Sequence, residues 1–320
     1  MKLGNMEPMR ILFMGTPDFA VASLAMLLAH NYDVVAVVTA ADKPAGRGRK
    51  PQQSAVKQYA LSHDIRVLQP TNLKSDTFLD ELRSLDANLF IVVAFRMLPK
   101  SVWSLPKYGT FNLHASLLPS YRGAAPINWA IINGEKETGV TTFYIDDKID
   151  TGEILLQETT PIHIADTAGT LHDTLMKLGA QVVLNTVLQI QQKLVTPKPQ
   201  KGADAFKMAP KLDKETCRIN WNLPAATVYN HIRGLSPYPT AWTLLDNDSD
   251  PVMLKIYNAQ FEIAPHNYES GKVIGTKKNI KIAVKDGFIL PTELQLPGKR
   301  RMSVQEMLNG IKWEKWGNVR

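Results

Sequence analysis

The sequence contains a single cysteine, Cys217, so it can form no internal disulfide bond and no cysteine cluster for a metal ion. No apolar run approaches 18 residues, which excludes an ordinary transmembrane helix. The first residues, MKLGNMEPMR, lack the apolar stretch of a secretory signal. Metal-binding spacings such as H-E-x-x-H are also missing, and we expect no metal site. Together these absences favour a cytoplasmic protein without a membrane segment.

The length and charge of the chain leave room for two domains and a polyanionic partner. The chain has 320 residues, of which 44% are hydrophobic and 21% are charged, and its formal net charge is +7. From Lys211 to Arg320 the chain has 16 Lys and Arg against 11 Asp and Glu, whereas the first 210 residues have 21 against 19. Such a basic C-terminal part suits nucleic acid, although an excess this small is also typical of a solvated surface.

Strand-like and helix-like segments alternate through the first half, from RILFMG and PDFAVASLAMLLAH to GTFNLHA and APINWAIING. This alternation predicts an α/β fold with a mostly parallel sheet and helices on both faces. After a stretch rich in Pro and Lys, short β-rich segments such as MLKIYNAQFEI and NIKIAVKDG predict a small OB-like β-barrel. We therefore expect an α/β domain over 1–195, a linker over 196–212 and a second domain over 213–320.

The segment DKPAGRGRKP carries Arg47, Arg49 and Lys50, and its Gly and Pro content predicts neither helix nor strand. A mobile basic loop of this kind suits the phosphates of a polynucleotide, but an ordinary surface loop explains it equally well. Neither MGTPDFA nor this segment contains G-x-G-x-x-G or a Walker lysine-serine pair. A dinucleotide site or a P-loop is therefore not expected.

In FNLHASLLP, polar Asn112, His114 and Ser116 alternate with apolar residues. On a strand these three side chains share one face, whereas a central strand of a parallel sheet is normally apolar on both faces. The strand therefore lies at a hydrated edge or ends in a cleft, and a hydrogen-bonded core histidine is the alternative for His114. Ser116 lacks the G-x-S-x-G setting of a nucleophile. Acidic residues cluster downstream in DDKIDTGE, but spacing alone does not say which of them meets His114.

Several motifs occur in one order over FNLHASLLPSYRGAAPINWAIINGEKETGVTTFYIDDKIDTGEIL: N-x-H, SLLP, RGAAP, ETGVT and DTG. On these motifs the chain resembles the folate-dependent formyltransferases. RILFMGTPDFA, VVTAADKPAGRGRK, APKLDKETCRINW and LQLPGKRRMS extend the resemblance over nearly the whole chain, toward the branch that formylates methionine carried by initiator tRNA. The resemblance implies a Rossmann-like catalytic domain, a linker and an OB-like tRNA-binding domain. It also implies 10-formyltetrahydrofolate as the formyl donor, and we expect a monomer.

Matched residue by residue, the resemblance assigns three sets of functional residues. The catalytic set is Asn112, His114 and Asp150. The folate-binding set is Ser116, Leu117, Leu118, Pro119, Phe95, Arg96, Met97, Leu98 and Asp146. The tRNA-binding set is Arg47, Arg49, Lys50, Lys299, Arg300 and Arg301. The chain has Ala94-Phe95-Arg96 where many relatives have Ala-Tyr-Gly, so its contacts with the folate ring are expected to differ there.

Other functions compete with this interpretation. A formyltransferase acting on an amino sugar or a ribonucleotide would share N-x-H, the SLLP-like turn and the aspartate, but it would not need the basic segment or the basic C-terminal domain. A non-catalytic RNA-binding relative would not need Asn112, His114 and Asp150. A dinucleotide oxidoreductase is the weakest alternative, because G-x-G-x-x-G is missing.

Overall fold

The computed structural model describes residues 7–45, 50–200, 206–246, 250–275, 279–310 and 317–320. The chain forms two compact units, each built from separate stretches of sequence. Unit 1 comprises Met1–Gly123, Thr138–Thr160 and His172–Met208, and unit 2 comprises Ala124–Glu137, Pro161–Leu171 and Ala209–Arg320. No helix in the described ranges is long and apolar enough to cross a membrane.

Up to residue 161, helices are interspersed among the strands. In chain order they are β1 (Arg10–Gly15), α1 (Asp18–Ala29), β2 (Asp33–Val38), β3 (Lys43–Ala45), β4 (Lys50–Gln52), α2 (Ala55–Leu61), β5 (Val67–Leu68), α3 (Asp76–Ser84), β6 (Leu89–Val93), α4 (Lys100–Trp103), β7 (Thr110–His114), β8 (Arg122–Gly123), α5 (Pro126–Ile132), β9 (Glu137–Tyr144) and β10 (Ile154–Pro161).

The remaining elements are one long helix followed by short strands and two helices. They are α6 (Ala168–Gln191), β11 (Met208–Ala209), α7 (Ala225–Gly234), β12 (Ala241–Leu245), β13 (Val252–Ile263), β14 (Val273–Gly275), β15 (Ile280–Val284), β16 (Gly287–Gln295), β17 (Met302–Ser303) and α8 (Val304–Gly310).

A seven-stranded sheet forms the centre of unit 1, with strand order β10-β9-β7-β6-β1-β2-β5. The strands β5, β2, β1, β6 and β7 pair in parallel, and β9 runs antiparallel to β7. The mostly parallel α/β sheet predicted from the sequence is thus confirmed. Every residue of β6 is buried, which is why LFIVV is apolar without alternation.

The structure of DKPAGRGRKP differs from the expectation that this segment contains neither helix nor strand. Its two arms are strands, β3 and β4, which pair antiparallel with Pro44 opposite Pro51. The sheet they form has only two strands, so each proline sits on an edge and its missing N–H breaks no central ladder. Arg47 and Arg49 lie outside the described residues.

Unit 2 contains an antiparallel sheet in the order β12-β13-β16-β15-β14, with β17 paired to β16. Buried side chains such as Trp221, Ile256 and Ile289 form its core together with residues of α7. The predicted small β-domain is therefore confirmed, in the form of an antiparallel half-barrel.

The predicted linker includes residues that are hydrogen-bonded within unit 1. Ile154 and Lys198 exchange two backbone hydrogen bonds of 2.8 and 2.9 Å, and the N–H of Tyr121 donates to the carbonyl of Lys207 at 2.6 Å. Part of the stretch over 196–212 is therefore held against the α/β unit. The division at 195 and 213 stays a prediction.

Candidate active site

The strand β7 lies inside the sheet, between β6 and β9, so the polar face of FNLHA is not an exposed edge. Asn112 faces Val92 across one ladder and Phe143 across the other, and is half-buried. His114 is the last residue of the strand and is 6% exposed. Because β1, β6 and β7 are parallel, their carboxyl ends share one edge of the sheet, where ligands bind in α/β folds.

The geometry around His114 distinguishes its two ring nitrogens. Nε2 lies 2.8 Å from the carbonyl oxygen of Tyr121, and since a carbonyl only accepts, Nε2 carries the hydrogen. Nδ1 faces Oδ2 of Asp150 at 3.9 Å. This separation is too long for a direct hydrogen bond, but it places the carboxylate beside the ring nitrogen. Nδ1 is therefore the ring nitrogen placed to exchange a proton.

Asp150 reaches His114 from the loop between β9 and β10. Its backbone has φ of 54°, in the left-handed region that aspartate tolerates better than most residues. Its Oδ2 accepts a hydrogen bond of 3.0 Å from the N–H of Gly123. The side chain of Asp150 is 14% exposed, so its charge is only weakly screened by solvent. The structure thus brings together the histidine and aspartate that the resemblance assigned to one catalytic set.

The two residues after Asp150 fix the loop. Thr151 Oγ1 lies 2.7 and 2.9 Å from the two carboxylate oxygens of Asp146. A Cβ at Gly152 would lie 1.6 Å from the carbonyl oxygen of Tyr144, so only glycine allows this close approach. Each residue of the DTG motif therefore has a structural role in this loop. Asp146, which the resemblance assigns to folate, closes the loop in this structure.

Gln200 also supports the loop, although no sequence motif predicts this role. Its Nε2 donates to the carbonyl oxygens of Asp150 at 3.0 Å and Gly152 at 2.8 Å. Its Oε1 in turn accepts from Arg122 Nε at 3.1 Å and from the terminal nitrogen Nη2 at 2.6 Å. Gln200 lies in a stretch without periodicity, so no sequence pattern indicated that it packs against the DTG loop.

The SLLP segment forms a turn held by hydrogen bonds from two other strands. Ser116 is fully buried and its Oγ donates to the carbonyl of Ser120 at 2.7 Å, which fits a turn residue and not a nucleophile. Thr141 on β9 donates to the carbonyl of Ser116 at 2.7 Å and accepts from the N–H of Leu118 at 3.1 Å. Gln157 on β10 donates to the carbonyl of Leu118 at 2.8 Å.

Neither Thr141 nor Gln157 belongs to a motif that predicts a role in the site. A signal existed for Thr141, because ETGVTTFY places hydroxyl groups on a strand whose Thr138, Thr141 and Thr142 are all buried. Buried hydroxyls need hydrogen-bond partners, and here the turn supplies one.

The loop after β6 places its predicted folate-binding residues in different environments. Met97 is 65% exposed, whereas Leu98 is buried in the core and Phe95 packs against that core. The guanidinium of Arg96 donates to the carbonyls of Pro70 at 2.5 Å and Thr71 at 3.2 Å. Arg96 therefore joins this loop to the one after β5.

The predicted tRNA-binding residues are described only in part. Arg47 and Arg49 are outside the described residues, and for Lys50 only its backbone position in β4 is described. In unit 2, Arg300 pairs with Glu306 at 2.7 Å and Arg301 with Glu293 at 2.5 Å. Both guanidinium groups are well exposed, but each has a carboxylate beside it. Lys299 precedes them in the turn between β16 and β17.

Comparison with known proteins gives matches to both parts of the chain. Residues 9–187 match the formyl transferase family, and residues 211–312 match the formyl transferase C-terminal domain. Methionyl-tRNA formyltransferase of Flavobacterium johnsoniae is 58% identical over 306 residues, covering 96% of this chain and 97% of that protein. Methionyl-tRNA formyltransferase of Parabacteroides distasonis is 53% identical, with coverage of 96% and 97%.

Solved structures share the fold at lower sequence identity. The sugar 3N-formyl transferase WlaRD, crystallised with dTDP and 5-N-formyl-THF, is 24% identical with a TM-score of 0.66, over 92% of this chain and all of that one. HypX from Aquifex aeolicus in complex with tetrahydrofolic acid is 19% identical with a TM-score of 0.64, over 94% of this chain and 47% of that one.

Proposed function

The chain belongs to the methionyl-tRNA formyltransferase family, and from this premise we propose a role for each group in the site. The reaction transfers the formyl group of 10-formyltetrahydrofolate to the free amino group of methionine on initiator methionyl-tRNA, which prepares that tRNA for translation initiation. The single observation that best supports the roles below is the placement of a buried histidine beside a buried aspartate at the end of β7.

The amino group of the substrate is itself the nucleophile, so the protein need not supply one. Its nitrogen lone pair attacks the formyl carbon, the C=O electrons move onto oxygen, and the tetrahedral intermediate collapses as the bond to folate N10 breaks. Hydrogen-bond donors aimed at the developing oxyanion lower the barrier, and one such donor contributes about 2.7–4 kcal/mol. Asn112 and His114 are the donors we assign.

Asp150 orients His114 and the proton transfers in this proposal. The attacking amine must lose a proton and the leaving folate nitrogen must gain one. The arrangement supports this role, because Nδ1 of His114 faces the carboxylate while Nε2 is occupied by the carbonyl of Tyr121. The reaction as written contains no step that needs a metal ion. The expectation that the protein has no metal site stays a prediction.

The folate cosubstrate is assigned to the SLLP turn and the loop after β6. Ser116, Leu117, Leu118 and Pro119 would hold it through the turn, and Phe95, Arg96, Met97 and Leu98 would line the ring. The exposure of Met97 supports contact with the flat face of the ring, whereas the burial of Leu98 supports a role in holding the loop behind it. Asp146 acts in this proposal through the DTG loop.

The tRNA is assigned to two basic regions. Arg47, Arg49 and Lys50 would contact the acceptor end, and Lys299, Arg300 and Arg301 would contact the backbone phosphates. Phosphate contacts position a nucleic acid and make its binding weaken as salt increases. The cytoplasmic location and the monomeric state expected from the sequence belong to this proposal as well.

A formyl-transfer assay tests the proposed function directly. The enzyme is supplied with 10-formyltetrahydrofolate and offered initiator methionyl-tRNA, elongator methionyl-tRNA or an amino sugar nucleotide. We expect transfer to initiator methionyl-tRNA in clear preference to the other two acceptors. Preferred transfer to the amino sugar would instead support the small-amine alternative.

A further inference from the structure

The tripeptide at residues 121–123 contacts both members of the His114–Asp150 pair, and we call it the YRG bridge. The carbonyl of Tyr121 accepts from Nε2 of His114 at 2.8 Å. The N–H of Gly123 donates to Oδ2 of Asp150 at 3.0 Å. Because the two contacts lie only two residues apart in the chain, a shift of the YRG bridge would move the imidazole and the carboxylate relative to each other.

The backbone of the YRG bridge has conformations that need support from its neighbours. Tyr121 has φ of 63° although its side chain is bulky and buried, and Gly123 has φ of 124°. Asp150, which the bridge contacts, has φ of 54°. Residues with a side chain rarely adopt positive φ, and they keep it where surrounding contacts hold them. The contacts around the bridge and Asp150 therefore set the geometry of the pair.

The side chain of Gln200 connects the YRG bridge to the loop that carries Asp150. Its Oε1 accepts from Nε and Nη2 of Arg122 at 3.1 and 2.6 Å. Its Nε2 donates to the carbonyl oxygens of Asp150 at 3.0 Å and of Gly152 at 2.8 Å. A glutamine amide has two acceptor lone pairs and two N–H donors, so these four bonds use its full capacity.

These contacts close a ring around Asp150. Its carboxylate is held by Gly123 and its backbone carbonyl by Gln200, while Arg122 joins these two residues. The Asp150 side chain is 14% exposed and Gln200 is half-buried, so water competes only weakly for the bonds. A network whose members are all paired fixes one arrangement more strongly than its separate bonds would.

The backbone beside Gln200 is attached to the same unit. Ile154 on β10 and Lys198 exchange two backbone hydrogen bonds of 2.8 and 2.9 Å. These bonds hold the chain two residues before Gln200. A substitution of the Gln200 side chain therefore removes its four hydrogen bonds while the chain stays attached to β10.

We propose that Gln200 and Arg122 are positioning residues for formyl transfer, and that they hold Asp150 beside His114 by joining the YRG bridge to the DTG loop. This inference rests on the role proposed above for Asp150. In this role neither side chain contacts a substrate, so both affect the rate of transfer and not the binding of folate or tRNA. A displacement of about 1 Å in a catalytic group can lower a rate by about 100-fold.

The test measures the single-turnover rate of transfer to initiator methionyl-tRNA, together with the Kd for the tRNA and the KM for 10-formyltetrahydrofolate. Gln200→Leu has nearly the volume of the wild-type side chain and removes all four hydrogen bonds. We expect the rate to fall by about 10-fold to 100-fold while the Kd and the KM stay near their wild-type values. An unchanged rate, or a change confined to the Kd or the KM, would overturn the inference.

A double-mutant cycle with Asp150→Asn tests whether Gln200 acts through Asp150. Once the carboxylate is lost, its position no longer matters. Gln200→Leu is therefore expected to cause little further loss of rate in the Asp150→Asn background. If the two losses multiply, Gln200 acts independently of Asp150 and the inference is wrong.

Arg122→Met is the second variant, and it also serves if Gln200→Leu folds poorly. It keeps an unbranched side chain but removes the guanidinium, while Gln200 can still donate to the loop of Asp150. We expect a smaller fall in rate in the same direction, and a double variant with Gln200→Leu no slower than Gln200→Leu alone. A weaker Kd for tRNA with an unchanged rate would contradict the positioning role of Arg122.

Gln181→Leu is the matched control. Gln181 lies at an exposed position of α6, where its Nε2 donates to Oδ1 of Asn185 at 3.1 Å. The same chemical change at this surface position should leave the rate and both affinities unchanged. Equal losses in Gln181→Leu and Gln200→Leu would show that the effect is not specific to the ring around Asp150.

The outcomes separate this inference from the proposed function. If Asp150→Asn lowers the rate and Gln200→Leu does not, the positioning role is rejected and the role of Asp150 stands. If neither Asp150→Asn nor His114→Ala lowers the rate, the proposed chemistry itself is wrong and Gln200 loses its role with it.

Discussion

Nδ1 of His114 lies 3.9 Å from Oδ2 of Asp150, and the same carboxylate oxygen accepts a hydrogen bond from the N–H of Gly123. The second bond holds the carboxylate in place whether or not the histidine is protonated. The histidine is held in the same way by the carbonyl of Tyr121. The two groups are therefore oriented before substrate binds, as electrostatic catalysis requires.

Asp150→Asn should reduce the rate of transfer without reducing affinity. The amide oxygen can still accept from Gly123, so the loop is retained, but the carboxylate beside Nδ1 of His114 is lost. We expect the single-turnover rate to fall by about 100-fold or more, the usual contribution of a general acid or base. A quenched single-turnover assay at saturating substrates measures this rate.

Asp173→Asn is the control for that experiment. Asp173 pairs with His172 at 3.0 Å, but the two side chains are 69% and 39% exposed. A surface pair of this kind contributes little, and its loss should leave transfer unchanged. Similar losses in both variants would show that the effect at Asp150 is not specific to the site.

Thr141→Val should weaken folate binding through the SLLP turn. The substitution removes a donor to the carbonyl of Ser116 and an acceptor for the N–H of Leu118, both in a buried environment. Leaving such groups unpaired costs about 1–3 kcal/mol of folding stability. We expect the KM for 10-formyltetrahydrofolate to increase, with kcat for the bound complex less affected, in steady-state kinetics.

Thr142→Val is the control that distinguishes an effect on the SLLP turn from a general loss of folding stability. Thr142 is equally buried, but its hydroxyl pairs with Thr186 at 2.8 Å and accepts from the N–H of Leu156 at 3.2 Å. It should lose a similar amount of stability while the KM for the folate stays at the wild-type value. An equal rise in KM for both variants would count against a specific role of Thr141.

Acid should weaken unit 2 through His231 on α7. Burial lowers the pKa of His231, against hydrogen bonding to the backbone of Cys217 and Arg218, and its Nε2 has no hydrogen-bond partner among the described residues. The folded state therefore binds fewer protons than the unfolded state below the ordinary histidine pKa of about 6.5. The free energy of unfolding should decrease as pH falls through that value toward the lowered pKa of the folded protein.

Urea denaturation at a series of pH values measures this dependence. His231→Gln removes the titration, so its stability should change less with pH in this range than that of the wild type. His30→Gln, at an exposed position, serves as the control and should keep the wild-type slope. Parallel slopes for wild type and His231→Gln would contradict the assignment.

The sequence predicted the individual strands and motifs of the site better than it predicted which residues lie next to each other in space. Alternation in FNLHA correctly predicted a polar strand face, because period two follows from strand geometry. It could not show that β7 lies between β6 and β9, since strand order depends on contacts far apart in the chain. The position of Asp150 depends on a left-handed residue and on a close approach at Gly152, neither of which periodicity detects.

Supporting residues were the hardest to predict. Gln200 donates hydrogen bonds from a segment that has no helix or strand periodicity. Gln157 is a polar residue on the edge strand β10, where polar residues are common. The β3–β4 hairpin was predicted to be a loop because Gly and Pro dominate its composition. Pairing of Pro44 with Pro51 is possible only because the two-stranded ribbon has no central strand.

The central claim is that His114, placed by β7 and paired with Asp150, promotes formyl transfer to initiator methionyl-tRNA. The most direct test is the single-turnover rate of that transfer for wild type and His114→Ala, with tRNA affinity measured in parallel. We expect the rate to fall by about 100-fold to 10,000-fold while the Kd for tRNA stays nearly constant. Transfer at close to the wild-type rate would contradict the claim.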